Sequence, residues 1–249
     1  FETERYTDSA DDNVNARPHP FVLQPGANTA GTQQAGTPWE FSLLLIGQGI
    51  DFLPHIVYSV QQMGEAGIGA ATRQGAGRFT LERILADDVP VFTGDTGRLD
   101  HGQAPATLAL AEPPGETVHA LRVNLHTPLR LKQANVLQRD LPFHGLIRAA
   151  LRRISALETA YGQGEPPLDY RGLVHDAERV ETEVSTLCWQ DLKRYSNRQQ
   201  QKVSLSGLAG TVVYRGDLNE FVPLLEYASR VNLGKQTGFG LGQMTMARQ

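Results

Sequence analysis

The chain has 249 residues, 40% of them hydrophobic and 20% charged, with a net charge of −4. That length suits one large or two small domains, and no run of 18 apolar residues exists to cross a bilayer, so no membrane role is expected. A lone cysteine, Cys188, excludes an internal disulfide framework and a cysteine-built zinc site, and it suits a reducing, cytoplasmic setting. The charge is unevenly spread. Residues 1–114 hold 6 Lys and Arg against 14 Asp and Glu, a balance of −8, whereas residues 115–249 hold 17 against 13, a balance of +4. Such asymmetry hints that the second half faces a polyanion, although a mildly basic globular half is also common.

In chain order, residues 1–38 read as an irregular lead-in, with a short extended piece at 18–23 where prolines push their predecessors toward β geometry. Residues 39–46 read as a buried strand. Asp51 is expected to cap a helix to about residue 65, with Phe52, His55, Ile56, Ser59, Val60 and Met63 on one side. A glycine-rich turn then leads to a strand over 78–85, completing a β-α-β unit. Residues 87–117 read as a connection with a short strand at 89–92.

The second half repeats this pattern at greater length. Residues 118–131 alternate as a strand, and Pro142 starts a helix with Phe143, Leu146, Ile147, Ala150, Leu151, Ile154 and Leu157 at helical spacing. Strands are expected over 180–189 and 203–214, a helix capped by Asp217 over 217–230, and a last strand over 239–246. The order is β-α-β-β-α-β, the ferredoxin-like split motif. The fold class is therefore α+β, with tandem ferredoxin-like (RRM-like) domains. The first, in 39–114, lacks its opening β-α-β, and the second occupies 115–249. Because the chain opens on Phe1, the missing unit is expected upstream.

Three clusters are candidates for chemistry. The run Gly234-Lys235-Gln236-Thr237-Gly238-Phe239-Gly240-Leu241-Gly242 has neither the spacing of a P-loop nor the strand-then-helix setting of a dinucleotide fingerprint. A strand with glycine at alternate positions lets another backbone approach closely, and successive N–H groups can cradle phosphate beside Lys235. Tight turning and close helix–sheet packing would use the same glycines. The second cluster runs from Lys193 to Lys202 and includes Arg194 and Arg198. It is basic, carries Tyr195 and lacks aliphatic residues until the following strand, the composition of an exposed loop that touches RNA or of a solvated hairpin tip. The third is Arg148 and Arg152, one helical turn apart and able to grip adjacent phosphates, with Arg130, Lys132 and Arg139 adding positive charge nearby. His144, expected exposed in a first helical turn, is the best placed of seven histidines for acid–base work, although a lone histidine is more often structural. No histidine pair has metal-ligand spacing, and Cys188 beside Trp189 reads as a core thiol. Neither a metal nor any other cofactor is called for.

With these residues in view, the chain resembles the CRISPR-associated endoribonucleases of the RAMP superfamily that process precursor crRNA. The likeness rests on the glycine run 234–242, on 141–148 (Leu-Pro-Phe-His-Gly-Leu-Ile-Arg), on 189–199 and on Gly207-Leu208-Ala209-Gly210. It implies binding of CRISPR repeat RNA by Gly234, Lys235, Gly238, Gly240 and Gly242, with Lys193, Arg194, Arg198, Arg148 and Arg152 as further contacts, and contacts to other CRISPR effector or adaptation proteins. It also implies metal-independent cleavage, in which a 2′-hydroxyl attacks the adjacent phosphate to leave a 2′,3′-cyclic phosphate. The family's usual general-base histidine sits on the first helix of the first domain, which this chain lacks, so His144 is the candidate left within it. The competing readings are a non-catalytic crRNA-binding subunit or fused domain, and an unrelated ferredoxin-like module for a small molecule or protein.

Overall fold

A computed structural model describes residues 17–26, 31–69, 72–100, 104–133, 136–196 and 200–249. The polar stretch 8–13, the tip of the basic segment and Arg198 lie outside the described residues. The chain divides into two compact units, residues 48–108 and residues 1–47 together with 109–249.

Unit 48–108 contains helix α1 (Leu53–Ala66) and an antiparallel hairpin, β3 (Arg83–Ala86) with β4 (Val89–Thr93). The hairpin turns on Asp87 and Asp88, both with positive φ. Asp51 is not the cap of α1. The helix is entered through a 3-10 turn, Gly47–Phe52, and Pro54 in its first turn fixes where the α-helix begins. Val57 and Gly64 are its buried residues, whereas Phe52, His55, Ser59 and Met63 are exposed, so the inward face is rotated from the expected one.

The second unit opens with β1 (Phe21–Pro25), paired antiparallel to β2 (Phe41–Leu45). The short extended piece expected at 18–23 within the lead-in is thus a strand displaced to 21–25, paired with β2. The expected β-α-β unit around α1 is also revised, because β2 pairs with β1 and β3 pairs with β4 in separate two-stranded sheets. The unit's main sheet has the order β13 (Met244–Arg248), β5 (Ala120–Leu129), β12 (Gly207–Arg215), β8 (Glu181–Ser185), with β9 (Cys188–Gln190) also paired to β12. Counting β8 and β9 as one interrupted strand, this is the antiparallel 4-1-3-2 order of a complete ferredoxin-like domain.

Three helices accompany it: α2 (Phe143–Tyr161), α3 (Tyr170–Asp176) and α4 (Val222–Val231). All seven apolar residues expected on one side of α2 are buried, and Leu121, Val123 and Leu125 supply alternate buried positions along β5. Phe143 packs edge-on against Tyr214 and Phe221, with centroids 4.9 and 5.1 Å apart, and the buried Tyr214 hydroxyl donates to the Leu141 carbonyl at 2.7 Å. The removed apolar surface at each such Leu, Ile or Phe contributes about 1.5–3 kcal/mol.

Several strand bounds differ from expectation for identifiable reasons. The 180–189 strand is interrupted between β8 and β9, opposite the stretch of β12 that shifts register against its other neighbour, β5, between Leu208 and Gly210. The 203–214 strand splits because Ser206 turns the chain from one sheet to another, leaving β11 (Gln201–Ser204) paired with β10 (Lys193–Ser196). Asp217 is not a cap, since α4 begins at Val222 after a 3-10 turn with Pro223 in its first turn. Cys188 is exposed on β9 and is no core thiol.

Candidate nucleic-acid interface

The glycine run is a folded-back loop, and the last strand starts only at Met244, after a 3-10 turn at Thr237–Phe239. The expected strand over 239–246 fails because Gly240 and Gly242 hold φ of +81° and +72°, left-handed values that no strand uses. The loop returns on itself through Leu233 N–H to Gly242 O at 2.9 Å, Gly242 N–H to Pro128 O at 3.1 Å and Lys235 N–H to Arg130 O at 3.0 Å. Buried Asn232 pins its start, donating to Leu241 O at 3.2 Å and accepting from Gln24 Nε2 at 3.0 Å.

Space decides what these glycines do. A Cβ at Gly242 would lie 1.7 Å from the Leu233 carbonyl oxygen, and one at Gly240 would lie 3.0 Å from Pro25 Cδ. Both residues are buried, so the close backbone approach expected there is made by the chain's own β1 and Leu233. Half-buried Gly234 faces the Arg130 carbonyl, and Gly238 faces the rings of Phe21 and His19. What the loop turns outward is Lys235 and the Phe239 ring, 51% exposed.

The basic segment, expected as an exposed loop or a solvated hairpin tip, contributes the paired strands β10 and β11, with Arg194 opposite Val203 and Tyr195 opposite Lys202. Lys193, Tyr195 and Lys202 are exposed. Arg194 is half-buried, because its guanidinium carbon lies 4.3 Å over the centroid of Phe239. Two clusters distant in sequence thus meet face to ring. Below them, Arg130 joins both: its carbonyl accepts from Lys235 N–H, and its guanidinium donates to the Ser206 carbonyl. Ser206 Oγ in turn accepts from Leu192 N–H at 3.1 Å, at the foot of the hairpin. Burial lowers the Arg130 pKa from its ordinary value. Arg139 stacks 4.7 Å over Trp189 on β9, the strand paired with β12.

Arg194 and Phe239 thus share one face of the hairpin, next to the loop that exposes Lys235, while alternation along β10 puts Lys193 and Tyr195, with Lys202 opposite Tyr195, on the other face of the same ribbon. Cations that follow a phosphodiester backbone, interleaved with rings on which bases stack, are what a single strand of nucleic acid requires. Sequence reasoning missed Phe239 as a site residue; the available signal was an aromatic flanked on both sides by glycine, which leaves the ring little local cover. His144 occupies the first turn of α2 and is half-buried, where full exposure is expected, since its neighbour Phe143 inserts between Tyr214 and Phe221. Arg148 and Arg152 line a separate cleft with α3.

With this geometry in place, comparison with known proteins is informative. Residues 123–244 match the family model described as CRISPR-associated endoribonuclease Cas6, and residues 1–104 match an N-terminal domain model named AF_1859_N. An uncharacterized protein of Archaeoglobus fulgidus is 25% identical over 207 residues. That alignment covers 80% of this chain and 63% of the relative, so the chain spans less than two thirds of that protein's length. Among solved structures, a Cas6 product complex is 17% identical with a TM-score of 0.58, covering 94% of this chain and 84% of that one. Thermus thermophilus Cas6 is 16% identical with a TM-score of 0.54, covering 92% and 79%. A partial Cas6-RT-Cas1–Cas2 complex aligns at 14% identity with a TM-score of 0.59, over 92% of this chain and 39% of that chain. The chain shares the fold of the Cas6 structures, which carry tandem ferredoxin-like domains. No described helix is long and apolar enough to cross a membrane.

Proposed function

We propose that this chain acts as a Cas6-type protein: it binds CRISPR repeat RNA across the β10–β11 hairpin and the outward side of the glycine loop, and acts in the cleavage that releases crRNA. The observation that carries the reading is the stacking of Arg194 on Phe239, a ring presented by the same loop that exposes Lys235. Lys193, Arg194, Lys235 and, beyond the described residues, Arg198 supply the positive charge. Gly234 and Gly238 allow the loop its shape, while Gly240 and Gly242 act from beneath by letting the loop close on β1 and Leu233.

The chemistry of the proposed reaction is an attack by a ribose 2′-hydroxyl on the adjacent phosphorus. The O2′–P bond forms and the P–O5′ bond breaks, leaving a 2′,3′-cyclic phosphate and a 5′-hydroxyl. A base removes the 2′-proton, a donor protonates the leaving oxygen, and a cation stabilises the charge that builds on the phosphorane. Lys235 and Arg194 suit the last role. His144 is the candidate base of this chain. In this reading the reaction needs no metal ion, and other CRISPR proteins assemble with the chain.

A second reading, that of a crRNA-binding subunit or fused domain without catalysis, is favoured by the setting of His144. None of the contacts described at the interface involves His144, whose neighbour Phe143 packs into the core against Tyr214 and Phe221. Incubating the full chain with labelled repeat RNA in EDTA separates the two. A cyclic-phosphate product that persists in the chelator supports the first, and tight binding without cleavage supports the second. An absence of RNA binding at low salt contradicts both.

A further inference from the structure

A second charged site lies between α2 and α3, away from the residues that form the proposed interface. The connection between these helices is fastened to α2 by Ser155 Oγ, which donates to Glu165 Oε1 at 2.9 Å. The Tyr170 hydroxyl donates to the Pro166 carbonyl at 3.1 Å, and Asp169 Oδ1 accepts from Gly172 N–H at 2.9 Å to cap α3. The fastened helices leave a cleft of about 490 Å³. Leu151 and Val174 give it apolar surface, with the half-buried Tyr170 beside them, and Arg148, Arg152 and Arg171 line it.

The charge in this cleft is unbalanced. Glu165 and Glu178 also line it, so with His175 neutral three guanidinium charges stand against two carboxylates and the lining is net positive by one charge. Among the described residues no ion pair holds Arg148, Arg152 or Arg171. Guanidinium groups held in no ion pair keep their forked donors available, and an anion in the cleft would accept them. An apolar surface flanked by an aromatic ring suits a flat heterocycle. The volume falls in the range of about 300–1,000 Å³ usual for small-ligand sites.

We propose that the α2–α3 cleft binds a nucleotide, with its phosphate on Arg148, Arg152 and Arg171 and its base against Leu151, Val174 and Tyr170. The nucleotide comes either from an RNA strand or from the free pool, and the site does not depend on the interface at Arg194 and Phe239. The test uses the full chain and three variants: Arg171→Ala, Arg148→Ala/Arg152→Ala, and Arg194→Ala as the control for the interface. AMP and UMP are titrated calorimetrically, repeat RNA binding is followed by fluorescence anisotropy, and thermal unfolding confirms that each variant is folded. Saturable mononucleotide binding weakened at least about tenfold by the cleft variants, but not by Arg194→Ala, establishes a site for free nucleotides. No mononucleotide binding, together with repeat-RNA affinity lowered about three- to tenfold in the cleft variants, establishes a site for a strand. Cleft variants that match the wild type with every probe overturn the proposal, even if Arg194→Ala abolishes RNA binding. Conversely, a loss confined to the cleft variants leaves this site standing and removes the interface.

Discussion

The glycine loop and the β10–β11 hairpin carry the same sequence-level suggestion of nucleic-acid contact, yet they are built on opposite principles. The loop is held by its own chain: buried glycines, left-handed backbone, and hydrogen bonds to Leu233, Pro128 and Arg130. The hairpin is a two-stranded ribbon with exposed Lys193, Tyr195 and Lys202, which an isolated ribbon would hold only marginally in water. The difference teaches that the loop supplies position and the hairpin supplies reach, with Arg194 on Phe239 as the joint between them. Under the proposed function, a bound strand would meet a surface that is firm on one side and adaptable on the other.

Substitutions that separate fold from binding sharpen this comparison, and the largest effect is expected in the loop. Gly242→Val forces a side chain into a left-handed residue against the Leu233 carbonyl, and should cost about 3–5 kcal/mol of stability by chemical denaturation. A fully stable variant would show that the loop does not close as described. Asn232→Ala removes the buried amide that bonds Leu241 and Gln24, and is expected to cost about 1–3 kcal/mol by the same measurement.

The hairpin should behave in the opposite way. Arg194→Ala is expected to lower repeat-RNA affinity about tenfold while moving the melting temperature little, since its partner ring is half exposed. Loss of stability without loss of affinity would reverse the roles assigned to the two regions. Lys235→Ala, a single exposed cation, should weaken binding about threefold and reduce the slope of log affinity against log salt by nearly one.

The smallest effect concerns pH. Burial first, then the nearby Asp176 and Asp217, hold the Glu220 carboxyl above its ordinary range. The folded state thus favours the protonated acid, so the associated stability is present at low pH and is lost as pH rises through the carboxylate range. Glu220→Gln should remove that dependence and raise the melting temperature slightly at pH 7. An unchanged profile between pH 3 and 7 would refute the assignment.

The second half of the chain was largely legible because its periodicities are long. Seven apolar residues at helical spacing named the buried face of α2, and the β-α-β-β-α-β order matches the observed sheet. The first half was less so, because its strands are short and their pairing depends on partners that periodicity cannot name: the extended piece near 18–23 is legible, its pairing with β2 is not. The glycine run was found but misassigned to a strand, since composition alone does not distinguish bare backbone offered to a ligand from bare backbone consumed by Pro25 and Leu233. The joint between loop and hairpin could not be read at all. Arg194 and Phe239 are 45 positions apart, and only the folded register brings them together.

Photo-crosslinking of repeat RNA carrying 4-thiouridine to the full chain, with the attached peptides mapped by mass spectrometry, tests the interface most directly. Adducts on the segments containing Tyr195 and Phe239, lost in Phe239→Ala and competed away by unlabelled repeat RNA, are the expected result. Adducts confined to other parts of the chain, with these two segments unmodified, would place the RNA elsewhere and contradict it.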